Sequence, residues 1–243
     1  VVESLTTEVG PRLAGTPADT RAVAWAQAKF TAMGFDKVYL EPVTFPVWLR
    51  HREAAEVLSP FPQPLVVTAL GGSVGTGEKP LEAEVVEFTD LAALSAAPEG
   101  SLAGKIAYVS NRMVRFKDGR GYGPAVGARS NGAVEAAKKG ALAVVIRSIG
   151  TSSDRFAHTG TMRYVPDVPR IPAAALSNPD ADLLSHMIAR GKPVRLRLDI
   201  SAETVGEYTS HNVIGEIRGR ELPGEVVTMG GHLDSWDLGT GAI

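Results

Sequence analysis

The stretch NGAVEAAKKGALAVVIRS (131–148) contains a helix, a stop and a buried strand in succession. Alanine, glutamate and lysine favour helix, and Gly140 supplies the stop. The run 141–146 is then continuously apolar, without alternation, as a strand covered on both faces requires. This order predicts an α/β fold. Toward the N-terminus, LEAEVVEF (81–88) and KIAYVS (105–110) read as short strands, and 58–80 is dense in proline and glycine around one apolar run, 65–70. Toward the C-terminus, IPAAALS (171–177) is another short strand. NPDADLLSHMIARG (178–191) is a helix with Asn178 as its cap, Pro179 at its first position and Gly191 past its end. PVRLRLDISAE (193–203) alternates, so one face is expected to be wet.

The outer parts have a different texture. PRLAGTP (11–17) is a loop. A helix follows, with Asp19 or Thr20 as its cap and Val23, Ala26, Phe30 and Met33 at helical steps until Gly34. KVYLEPVTF (37–45) alternates like a strand, and the texture changes at about Pro46. At the other end, 212–217 and 225–229 read as a hairpin-like pair around RELPGE, the second strand buried.

Composition is that of an ordinary globular chain, with 44% hydrophobic and 21% charged residues. The net charge of -2 gives no field favouring nucleic acid. Without cysteine, disulfides and thiol catalysis are excluded. No apolar run reaches the ~18 residues needed to span a bilayer. Val1 opens on acidic and hydroxyl residues, with no signal-peptide pattern.

The chemistry concentrates in VVTMGGHLDSWDLGTGA (226–242), where the second strand is expected to deliver Gly230, Gly231 and His232 to its end. Ligands in open α/β sheets sit beyond the carboxyl ends of strands. Neutral imidazole is a good zinc ligand. A carboxylate two residues on, Asp234, can accept the other ring N–H and so fix the tautomer. The same string also reads as a loop with an exposed histidine and solvated or capping aspartates.

GGHLDSWDLGTGA (230–242) closely resembles the metal-site segment of the M28 family of zinc peptidases, in its plasma glutamate carboxypeptidase (carboxypeptidase Q) branch. VGPRLAGTP (9–17) and MGFDKVYLEPV (33–43) resemble the family's N-terminal entry, and HNVIGEIRG (211–219) its first sheet hairpin. Residues 132–148 resemble the helix–strand core of the protease-associated (PA) domain inserted in that branch. The resemblance implies a partial zinc-peptidase α/β domain of the phosphorylase/hydrolase-like type (1–45 and 204–243) around a PA-like β/α domain (46–203). It implies His232 as a zinc ligand, Asp234 as the residue that orients it, two zinc ions and a short peptide substrate.

The resemblance also places a bridging aspartate just after Ile243, with a Glu-Glu pair, a further carboxylate ligand and a second histidine later still. The 243-residue chain alone is therefore expected to bind no catalytic zinc and to be inactive, its partner being the missing C-terminal half. Without the rest of the sheet, the N-terminal helix and final hairpin are expected to expose apolar faces. The branch further implies export, to the periplasm or medium, and a homodimer.

His158, in FAHTGTMRY (156–164), is either a solvated loop histidine or a substrate contact with Tyr164 as companion; the branch resembles this chain at His-Thr-Gly. His51, His186 and His211 read as structural, GRGYGP (119–124) as a flexible loop, and Arg112, Arg115, Lys117 and Arg120 as a solvated face. No Gly-x-Ser-x-Gly elbow occurs. Two other readings stand beside the exopeptidase: a PA-type interaction or lid module without chemistry, and a glutaminyl-cyclase-like acyltransferase.

Overall fold

A computed structural model describes residues 1–241 of the chain. Ala242 and Ile243, the end of the expected 204–243 segment, lie outside the described residues. The chain divides into two compact units, 1–47 with 205–243, and 48–204.

The 48–204 unit is built on a mixed sheet. Its strands are β1 (Lys37–Ser59), β2 (Gln63–Leu65), β3 (Val67–Ala69), β4 (Leu81–Phe88), β5 (Lys105–Val109), β6 (Ala143–Arg147), β7 (Ala173–Leu176) and β8 (Arg195–Glu216). They lie in the order β2-β1-β8-β4-β5-β6-β7-β3. Strands β4 to β7 run parallel, with β3 antiparallel to β7 and β8 antiparallel to β4. Alternate residues of the parallel strands serve two cores. Ile106, Tyr108, Val145 and Leu176 face Ala181, Leu184 and Met187 of a helix over Asn178–Ile188. Val109, Val144, Ile146 and Ala173 face Ala128, Ala133 and Ala136 of a helix over Tyr122–Lys138, and Leu94 of a short helix over Leu91–Ala96. The continuous apolar run of β6 is thus buried on both sides. In β8 the alternation is realised too. Leu196, Leu198 and Ile200 are buried, while Arg197 pairs with Glu82 at 2.8 Å and Asp199 takes both bonds of Arg52 at 2.7 Å.

In chain order the helices are α1 (Val2–Glu8), α2 (Pro17–Ala32), α3 (Leu91–Ala96), α4 (Tyr122–Lys138) and α5 (Asn178–Ile188). The other unit holds α1, α2, the first part of β1 and the last part of β8. Helix α2 buries Ala22, Val23 and Ala26. Phe30 stacks on Phe35 with ring centroids 4.8 Å apart, over Gly215 of β8, where an added Cβ would come within 2.7 Å of Phe35.

Several sequence expectations are corrected. The α2 cap is Thr16, with Pro17 at the first helical position, where its missing N–H costs nothing. Asp19 reaches back instead to accept the Gly15 N–H at 3.0 Å. The α5 cap is Ser177 rather than Asn178, its hydroxyl accepting the Asp180 N–H. Helix α4 begins at Tyr122, so half of the presumed GRGYGP loop is helical; Pro124 fits the first turn. Strand β1 runs through Pro46 without a break. The largest correction is at 225–229, which is neither strand nor buried. Val226, Val227 and Met229 are 85–92% exposed. A strand needs a hydrogen-bonded neighbour, and no described segment offers one.

Candidate metal centre

Residues 230–241 belong to the unit formed by the chain's two ends. His232 emerges from irregular backbone, not from a strand. Gly230 and Gly231 do not take left-handed φ; Gly239 and Gly241 do, at φ 72°. His232 Nδ1 lies 2.8 Å from Asp234 Oδ1. The histidine side chain is 81% exposed, and Nε2 has no protein partner among the described residues. A carboxylate on Nδ1 that leaves Nε2 open is how an imidazole is oriented for a metal.

One residue outside the sequence reading holds this loop. Arg12 is 1% exposed, a charge buried among backbone carbonyls. Its Nε donates to the Leu233 carbonyl, between His232 and Asp234, and its Nη1 donates to the carbonyls of Gly241 and of Gly10, the latter at 3.1 Å. The Arg12 N–H donates to Ser235 Oγ, and the Ser235 N–H donates to the Arg12 carbonyl, both at 3.1 Å. Burial lowers the pKa of Arg12 from its ordinary value, and the Asp234 carboxylate partly restores it. The partners Leu233, Ser235 and Gly241 lie more than 220 residues from Arg12 in sequence, so no local signal marked Arg12.

The donor set fits one zinc ligand with its orienting carboxylate. A zinc site takes three or four protein ligands. Among the described residues no group of three or more His, Cys, Asp or Glu side chains could hold a metal.

His158 and Tyr164 lie in the 48–204 unit. His158 is exposed, packs edge-to-face on Phe156 at 5.7 Å, and is anchored by its N–H on Ser148 Oγ at 2.8 Å. The Tyr164 hydroxyl donates to the Ile171 carbonyl at 2.6 Å and accepts from the Val74 N–H at 3.0 Å, so two backbone groups already engage it. His51 faces Glu203 at 3.2 Å across β1 and β8, a long-range pairing that spacing does not reveal. Arg112 pairs with Asp182, and Arg120 lies over Phe116.

No family model matches the chain. Carboxypeptidase Q of Xenopus laevis is 39% identical over 235 residues, which is 97% of this chain and 49% of that protein. The crystal structure of a peptidase M28 precursor from Shewanella amazonensis superposes with a TM-score of 0.98 at 56% identity, over 100% of this chain and 55% of that one. A zinc aminopeptidase from Bacillus subtilis shares the fold, with a TM-score of 0.59 at 20% identity over 90% of this chain and 46% of that one. Over that length the fold is that of the M28 peptidase precursor. Over the length it spans, the chain is similar to carboxypeptidase Q and to an M28 peptidase precursor. It spans about half the length of the curated relatives it matches.

Proposed function

We propose that the complete polypeptide is a metal-dependent exopeptidase, an aminopeptidase or dipeptidase acting on short peptides. The observation that carries this reading is the His232–Asp234 pair at 2.8 Å, with Nε2 left open, on a chain 56% identical to an M28 peptidase precursor. His232 serves as a zinc ligand, and Asp234 holds its tautomer and orientation. Two bound zinc ions would lower the pKa of water and polarise the peptide carbonyl. His158 contacts the substrate, with Tyr164 as its companion; two backbone bonds fix the tyrosine hydroxyl. One imidazole with its orienting carboxylate does not fill a zinc site that takes three or four protein ligands, so the 243-residue chain alone binds no catalytic zinc. The 48–204 unit is a PA-like insert. The complete protein acts outside the cytoplasm, as a homodimer; among the described residues no helix is long and apolar enough to cross a membrane.

The test is metal analysis of the purified complete polypeptide, followed by assays on an unblocked dipeptide and on an N-terminal glutaminyl peptide. Bound zinc and dipeptide hydrolysis are expected. Cyclisation of the glutaminyl peptide without hydrolysis, or no divalent ion at all, would overturn the reading. His158→Ala should raise KM or lower kcat by about 10-fold, roughly 1.4 kcal/mol; unchanged kinetics would remove His158 from the site.

A further inference from the structure

We infer that Arg12 is a positioning residue of the metal centre: it clamps the loop that carries His232 and Asp234 at both ends. The inference rests on the proposed role of His232.

The geometry is specific. The His232–Asp234 bond depends on the backbone between those residues, and Leu233 is the only residue there. Its carbonyl is the acceptor of Arg12 Nε. The Arg12 N–H donating to Ser235 Oγ and the Ser235 N–H donating to the Arg12 carbonyl hold the next residue past Asp234. The same guanidinium grips the Gly241 carbonyl, at the far end of the loop. One rigid, planar fork thus fixes both ends of 233–241, which a lysine's single ammonium would not do.

A second observation points the same way. Gly241 sits at φ 72°, and an added Cβ would come within 2.5 Å of the Gly10 carbonyl oxygen and 2.8 Å of Arg12 Nη1. The 241 backbone therefore closes against the 10–12 segment as tightly as glycine permits. Burying a guanidinium carries a large desolvation cost. Here three carbonyls receive it and no carboxylate bonds to it among the described residues, so it acts as a donor hub for backbone, not as a surface ion pair.

The test compares wild type, Arg12→Lys, Arg12→Met and Gly241→Ala in the complete polypeptide. Three quantities are read: zinc affinity by chelator competition, the split of kcat from KM on a dipeptide, and hydrogen exchange at the Ser235 amide. Loss of a group that orients a metal ligand weakens metal binding about 10- to 100-fold. That loss is expected for Arg12→Met, with kcat falling by a similar factor, KM within about twofold and faster exchange at Ser235. Arg12→Lys should recover only part of the loss. Gly241→Ala strains the same contact while keeping the guanidinium, and should also weaken zinc binding if Arg12→Met fails to fold. A merely structural role would lower thermal stability but leave the zinc affinity of the folded molecules unchanged. Folded Arg12→Met or Gly241→Ala protein with wild-type zinc affinity and kcat would overturn the inference. Wild-type protein devoid of zinc would instead sink the functional reading and take this inference with it.

Discussion

His232→Ala in the complete polypeptide is expected to lose zinc and to lower kcat/KM on order of a thousandfold or more, ~4 kcal/mol of transition-state stabilisation. The reason is the ligand's lack of redundancy. Among the described residues no group of three or more His, Cys, Asp or Glu side chains could hold a metal in its place. Its stability cost should be small, because the side chain is 81% exposed, and substitutions at such positions usually stay within about 0.5 kcal/mol. The apo protein should therefore melt as wild type does, which separates a lost ligand from a lost fold. Asp234→Asn should be milder, costing about 10- to 100-fold in zinc affinity, since it disturbs the ligand's orientation and not the ligand itself. The measurement is zinc per protein chain, with dipeptide turnover in parallel. Full zinc content in the His232→Ala protein would rule out His232 as a ligand.

The parts of this structure legible in sequence are those whose cause is local. The uninterrupted apolar run of β6 and the alternation of β8 follow from which faces water reaches. The bounds of β4 coincide with LEAEVVEF because turn residues flank it. The His-x-Asp pair was legible because its two members are neighbours. What escaped the sequence depends on distant partners. Helix α4 buries Ala125, Ala128 and Gly132 against partners that local propensity does not encode. Residues 225–229 have a strand's composition, but composition does not supply a neighbour to pair with. Arg12 looked like one more residue of a proline-glycine loop, yet its role is set by carbonyls at 233 and 241.

Asp180→Ala should destabilise the 48–204 unit by about 2–3 kcal/mol, the cost of leaving buried donors without their acceptor. Asp180 is 3% exposed. Its carboxylate accepts the Val66 N–H at 2.8 Å, the Ser177 hydroxyl at 2.7 Å, and Arg155 Nε at 2.9 and 3.1 Å. Truncation leaves the Val66 N–H without an acceptor, ~1–3 kcal/mol by itself. It also removes a negative charge from the first turn of α5, where the helix dipole favours one, for a further ~0.5 kcal/mol. Against a typical total of about 5–15 kcal/mol this is a large fraction. Asp180→Asn keeps an acceptor for Val66 and should cost roughly half as much. Urea unfolding with hydrogen exchange in α5 measures both; a shift below ~1 kcal/mol for the alanine variant would show that the network is dispensable. The same substitution also probes the proposed role of His158. Arg155 lies three residues before His158, and Asn178, two residues before Asp180, holds the carbonyls of Gly150 and Ser152 at 3.3 and 2.9 Å. If His158 binds substrate, Asp180→Ala assayed well below its melting temperature should raise KM while zinc content stays at the wild-type level. Zinc loss in that variant would instead rule out the proposed role of His158 as a substrate contact only.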